Sequence, residues 1–222
     1  MSETTEEQKT KVMIVEDHPL FRERLALLIN KEPDMEVCGE ADNIRGAMET
    51  ILATKPDAAV VDITLKGSSG LELLKDLKAQ SIELPVLVLS MHDESLYAER
   101  AIRAGAKGYI TKDEASDKVM LAIRKVMGGE IYLSEGTTTR ILKNITDGKS
   151  SIDAPALSNL TDRELEVFQL IGKGKTTREI AETLNLGLTT IDTYRARIKE
   201  KLNLRNATEL IHQATDWARS QG

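Results

Sequence analysis

Two apolar runs that end in carboxylates define the chemistry open to this chain. AAVVD (58–62) ends in Asp62, and KVMIVED (11–17) ends in Glu16 and Asp17. If both runs are neighbouring parallel strands, three carboxylates converge at one sheet edge. There they must be protonated, paired with a cation or neutralised by a metal. VLVLS places Ser90 at another strand end, and KGYITK places Lys112 at the next. Acids, a hydroxyl and an ammonium at successive strand ends make a magnesium-dependent phosphoryl-acceptor site, whose catalysis is mostly positioning and electrostatics. Asp62 is the expected nucleophile, forming an aspartyl phosphate. Asp17 is expected to ligate Mg2+ directly, Glu16 directly or through water, and the Thr64 carbonyl to add an oxygen of the kind magnesium takes. Lys112 would neutralise charge developing on the phosphoryl oxygens, and Ser90 would donate a hydrogen bond to one of them.

Such groups need a sheet to hold them. Strand-like runs at 11–16, 35–40, 58–62, 85–90 and 107–110 alternate with helical patterns near 19–31, 43–54, 70–80, 94–104 and 115–128. That alternation predicts an α/β domain, a parallel sheet covered on both faces. In the flavodoxin-like (βα)5 arrangement the strand order is 2-1-3-4-5, and ligands bind beyond the strands' carboxyl ends where the order reverses, between strands one and three. Gly67 and Gly70 supply turns after the third strand, and Gly105 closes the fourth helix. The pattern breaks at Gly128-Gly129, giving a first domain over 9–128. Residues 129–156 read as a linker with one short helical candidate, SEGTTTRILKNI, and a turn-rich tract closed by Pro155. Residues 157–222 carry no strand pattern and read as a small all-α domain of four helices, near 161–172, 177–184, 188–202 and 206–218.

Composition excludes several classes. Aromatic residues make up 3% of the chain, too few for base-stacking surfaces on single-stranded nucleic acid. The single cysteine, Cys38, has no internal disulfide partner and reads as a small buried residue in a reducing compartment. No apolar stretch approaches membrane-spanning length and the start, MSETTEEQKT, is polar and acidic, so a cytoplasmic protein without membrane contact is expected. The net charge of −6 is uneven: residues 1–128 hold 17 basic against 23 acidic side chains, and residues 158–222 hold 10 against 9. The acidity belongs to the front domain, which leaves the rear one free to meet an anionic partner.

Over residues 11–128 the acid pair after strand one, the acid after strand three, Ser90 and Y-x-x-K (Tyr109 to Lys112) resemble the receiver domain of bacterial response regulators. The resemblance implies that a sensor histidine kinase donates the phosphoryl group and that Tyr109 is the aromatic switch residue. Two positions depart from the family pattern: D-x-x-M-P after the acceptor is replaced by Leu65 and Lys66, and Asp113 rather than proline follows Lys112. Every charged participant is kept.

The tail carries L-T-x-R-E (160–164), E-I-A (179–181) and K-L (201–202), and resembles the LuxR-type helix-turn-helix of NarL/FixJ response regulators. Thr176 and Thr177 precede REIAETL as N-caps, and Asn185 to Gly187 form the turn. In the next helix Ile191, Tyr194, Ile198 and Leu202 recur at core spacing. Thr189, Thr190, Thr193, Ala196 and Arg197 then face outward, with Lys199 and Lys201 on the flanks. Small hydroxyls with an arginine suit a helix lying in the major groove of double-stranded promoter DNA. Thr177 and Arg178 are expected at phosphates. Asp192 stands where the family often has lysine. A tail of net +1 binds weakly as one copy, so tight binding calls for a homodimer in the phosphorylated state, with RNA polymerase a further candidate partner. The competing reading, a hydrolase using Asp62 transiently with His18 or His92 as acid–base groups, lacks a second positioned acid, because residue 64 is threonine.

Overall fold

The computed structural model describes residues 9–65, 68–91, 94–146 and 157–220. The expected turn at Gly67, the departure at Lys66, His92 and the tract through Pro155 lie outside the described residues. The chain forms two compact units, Met1–Lys143 and Asn144–Gly222.

The first unit runs β1 (Thr10–Val15), α1 (Pro19–Asn30), β2 (Met35–Ala41), α2 (Ile44–Thr54), β3 (Ala58–Asp62), β4 (Thr64–Leu65), β5 (Ser68–Ser69), α3 (Gly70–Ala79), β6 (Val86–Ser90), α4 (Glu94–Ala104), β7 (Gly108–Thr111), α5 (Ala115–Met127) and most of α6 (Glu135–Thr146), which runs past the boundary at Lys143. Its main sheet is parallel in the order β2-β1-β3-β6-β7, so counting only these five strands it is the expected 2-1-3-4-5. Every residue of β3 and β6 is buried, as continuous apolar runs between two helical layers require. One side of the sheet packs Ile14, Val60 and Leu87 against Leu25 and Ile29 of α1 and Val119, Ile123 and Val126 of α5. Edge strand β2 is less covered, and Cys38 there is half-buried rather than buried, its Sγ 3.7 Å from Thr54 Oγ1.

Register places the chemistry. Val15 lies opposite Val61, so Glu16 is level with Asp62 one step past the end of β1. Ser90 lies opposite Thr111, and the next residue, Lys112, donates its backbone N–H to the Ser90 carbonyl at 2.8 Å. Two features go beyond the alternating pattern. Beyond β3, Thr64–Leu65 and Ser68–Ser69 pair as a short antiparallel ladder. Past Gly129 the chain does not leave the sheet at once: Tyr132 bridges Gly108 in parallel, accepting from the Tyr109 N–H and donating to the Lys107 carbonyl, both at 2.9 Å.

The second unit has a 3-10 turn (Leu157–Asn159), then α7 (Asp162–Gly172), α8 (Thr177–Leu184), α9 (Leu188–Lys201) and α10 (Ala207–Ser220). Thr161 with Glu164 and Thr176 with Glu179 form reciprocal capping boxes, each satisfying two otherwise orphaned backbone donors. Thr176 is the cap, and Thr177 is the first helical residue. Asn185 ends α8 in the left-handed conformation at φ 52°, which asparagine tolerates better than most residues. Phe168, Ile171, Ile180, Leu184, Ile191, Ile198, Leu210 and Ala214 are the buried core. Gly172 lets α7 and α10 touch, since a Cβ there would lie 2.4 Å from the Ala214 carbonyl oxygen. No helix among the described residues is long and apolar enough to cross a membrane.

Candidate functional site

The carboxyl ends of β1, β3, β6 and β7 bring Glu16, Asp17, Asp62, Ser90 and Lys112 together, all five buried. Lys112 Nζ sits 2.8 Å from Asp62 Oδ2 and 2.6 Å from Glu16 Oε2, and 4.8 Å from the centre of the Phe21 ring. The Thr64 N–H donates to Asp62 Oδ1 at 3.2 Å, so Thr64 meets the nucleophile candidate through its amide. Arg22, one turn into α1, donates to the Glu16 carbonyl at 2.6 Å and fixes the loop that presents the acid pair.

Burial is the largest influence on Asp62 and pushes its carboxyl up to about 7. Glu16 adds to the rise, and Lys112 opposes it. Burial works against the Lys112 ammonium too, but Asp62 and Glu16 outweigh it and hold its pKa above the usual lysine value. Three buried carboxyl groups share one ammonium, so ionising all three leaves uncompensated negative charge, which is costly unless a further cation neutralises it.

The donor set fits a divalent cation. Glu16, Asp17, His18 and Asp62 each offer a ligand atom, and these atoms lie within 4.8 Å of one another. Glu16 Oε2 and Asp17 Oδ1 are buried without a directed hydrogen bond, although Lys112 Nζ and His18 Nδ1 approach them to 2.6 and 2.9 Å. Oxygens left in that state are what a hard metal ion takes up.

Gly70 is part of the site although it carries no functional group. It begins α3, its N–H donates to the Ile63 carbonyl at 2.7 Å, and a Cβ would fall 1.9 Å from the Asp62 carbonyl oxygen. Sequence alone marks Gly70 as a turn glycine; the structure shows a close approach to the backbone of Asp62. Gly70→Ala is expected to destabilise the first unit by about 2–3 kcal/mol through that overlap. Urea unfolding measures it, and a loss below about 0.5 kcal/mol would show that the backbone yields without strain.

Tyr109 is buried in β7, and its neighbour in the sheet, Val88, lies on β6 two residues before Ser90. The equally buried Tyr97 on α4 has no sequence signal beyond helical spacing.

On α9 the expected outward face is present: Thr189, Thr190, Thr193, Ala196 and Arg197 are exposed, while Ile191, Ile198 and Leu202 are buried and Tyr194 half-buried. Leu188, 53% exposed at the head of α9, extends that face with an apolar group. Some of the polar groups expected at DNA, on α9 and on α8, are already engaged. Thr193 Oγ1 donates to the Thr189 carbonyl at 2.9 Å, and Arg178 pairs with Glu182 at 3.2 Å. Lys201, expected on the flank, reaches back 2.6 Å to the buried carboxylate of Glu164, the capping residue of α7. Lys199 is half-buried. Arg195, unmarked by the sequence pattern, donates to Thr177 Oγ1 at 3.4 Å and ties α9 to the start of α8.

Comparison with known proteins agrees with this geometry. Residues 12–124, just over half of the chain, match the response regulator receiver domain. Residues 158–214 match bacterial regulatory proteins of the luxR family. A putative transcriptional regulator of Pseudomonas aeruginosa is 35% identical over 95% of this chain and 97% of its own length. The oxygen regulatory protein NreC of Staphylococcus haemolyticus is 32% identical over 92% of this chain and 96% of its own. Among solved structures, a LuxR-family two-component response regulator from Aurantimonas sp. SI85-9A1 is 30% identical, with a TM-score of 0.58 over 63% of this chain and 99% of that one.

Proposed function

This chain belongs to the response regulator family, pairing a receiver domain with a luxR-type regulatory domain, and on that premise we propose that phosphorylation of Asp62 controls its grip on promoter DNA. The carrying observation is the buried Asp62–Lys112–Glu16 contact at the sheet edge, beside an Asp17 oxygen with no directed donor. In this reading a carboxylate oxygen of Asp62 attacks the phosphorus of a sensor histidine kinase's phosphohistidine, and the P–N bond breaks as the kinase imidazole leaves. Glu16, Asp17, Asp62 and the Thr64 carbonyl would hold Mg2+, whose charge would offset that of the phosphoryl oxygens. Lys112 leaves its carboxylate partners to meet the phosphoryl group, and Ser90 donates a hydrogen bond to it. The chain takes one phosphoryl group per copy and is a switch rather than a turnover enzyme.

Movement of Ser90 toward the phosphoryl group would let the Tyr109 ring repack, biasing the surface near α4 and α5 toward a second arrangement. Residues 9–128 form the switch, 129–156 the connection and 157–222 the DNA reader. Arg197, with Thr189, Thr193 and Ala196, enters the major groove; Thr190, Thr177, Arg178, Lys199 and Lys201 lie toward the phosphates. Lys201 does so only by giving up Glu164. One copy with a nearly neutral reader binds weakly, so a phosphorylated homodimer on half-sites about one helical turn apart is the binding form. RNA polymerase contact follows only after that assembly.

The test is promoter binding with and without a small phosphodonor. Wild type should gain affinity by roughly 5–150-fold, the span of an ordinary allosteric coupling, and Asp62→Ala should gain nothing. An equal gain in the variant removes Asp62 from the role.

A further inference from the structure

His18 stands at the N-cap position of α1, yet its side chain makes no hydrogen bond to the helix. The ring turns instead toward the acid pair. Nδ1 lies 3.0 Å from Glu16 Oε1 and 2.9 Å from Asp17 Oδ1, and the His18 N–H also meets Glu16 Oε1 at 3.0 Å. A ring nitrogen carries at most one proton. Here only the Glu16 contact has hydrogen-bond geometry, and Asp17 Oδ1 is left buried without a directed donor. One proton cannot serve both carboxylates; a cation placed among the three atoms can. Ligands at right angles around an ion with bonds of about 2.1 Å stand about 3.0 Å apart, and both nitrogen–oxygen separations match that edge. The ring is 69% exposed, so it can settle onto an ion without disturbing the packed core.

We propose that His18 Nδ1 is a ligand of the ion held by Glu16, Asp17 and Asp62, so that the pocket selects nitrogen-preferring divalent ions such as Ni2+ and Co2+ well beyond what three carboxylates would. The inference rests on the ion-binding reading above and extends it from magnesium to transition metals. Magnesium prefers oxygen and gains little from an imidazole, whereas nickel and cobalt gain much. Such an ion would compete with magnesium for the same ligands.

The experiment is calorimetric titration of the untagged full-length chain, freed of metal by chelator, with Ni2+ and separately with Mg2+, in wild type and His18→Asn. Excess Mg2+ should displace nickel held here, which separates it from any held by the exposed His212–Asp216 pair on α10. We expect the displaceable nickel affinity to fall by about tenfold or more in His18→Asn, with magnesium affinity changed by less than about twofold. In wild type, substoichiometric Ni2+ should also broaden the imidazole proton signals that His18→Asn lacks. Nickel affinity within twofold of wild type overturns the proposal, as does an equal loss for both ions, which would make His18 a support for the carboxylates. Failure of Mg2+ to bind wild type overturns the underlying ion site as well, an outcome distinct from loss of the histidine's role alone.

Discussion

Lys112→Ala is expected to destabilise the receiver unit by about 3–5 kcal/mol at pH 8 in the absence of divalent ions, the range for removing one member of a buried ion pair. The ammonium is shared between Asp62 and Glu16 at 2.8 and 2.6 Å. Without it three buried carboxylates face one another with no cation. The loss should shrink at pH 5.5, because a carboxyl already pushed up to about 7 by burial can take a proton and lower the local charge. Magnesium should recover part of it for the same reason. Phosphoryl uptake should slow by roughly 10²–10³-fold, as when a charge-stabilising donor is removed from a transition state. Urea unfolding and a time course of intact mass measure the two effects. A loss under about 1 kcal/mol with unchanged uptake would contradict the role given to the ammonium.

Asp62→Asn should move stability the other way. Its carboxyl has a folded pKa of about 7 against an ordinary value of 3.8, because burial disfavours the anion. A raised folded value means that the folded chain binds the proton more tightly than the unfolded one, so wild type loses stability as pH rises through the window from about 4 to 7. Asparagine carries no such charge. In chelator the variant should match wild type near pH 4 and exceed it by roughly 2–4 kcal/mol above pH 7. Added Mg2+ should stabilise wild type more than the variant and close the gap. Thermal melts across that pH range check the sign, and a variant less stable than wild type at pH 8 would show that the anion is well compensated by its partners.

The five main strands and all five strand-end groups are legible in the sequence because parallel strands buried on both faces leave uninterrupted apolar runs, and a polar residue ending such a run marks the sheet edge; the strand order is not in those runs and follows only from the flavodoxin-like topology. The capping threonines of α7 and α8 are legible through the glutamate three residues on. Other parts leave no local trace. Two-residue strands such as Thr64–Leu65 and Ser68–Ser69 are too short for any periodicity to register. Gly70 is conspicuous as a glycine, but its reason is a backbone brought near by the fold. The Tyr132 bridge to β7 depends on an open sheet edge, which is a property of topology. Lys201 and Arg195 look alike as basic residues on a helix, yet one is tied to Glu164 and the other to Thr177. Pairings across tens of residues are set by tertiary packing, which no pattern along the chain encodes.

Intact mass after exposure to acetyl phosphate tests the central claim most directly. With Mg2+ present, the wild-type chain should gain the mass of one phosphoryl group, mapped by peptide fragmentation to Asp62; with chelator, or in Asp62→Asn, it should gain none. A full phosphoryl increment on Asp62→Asn, or one on wild type that is indifferent to the metal, would contradict the account.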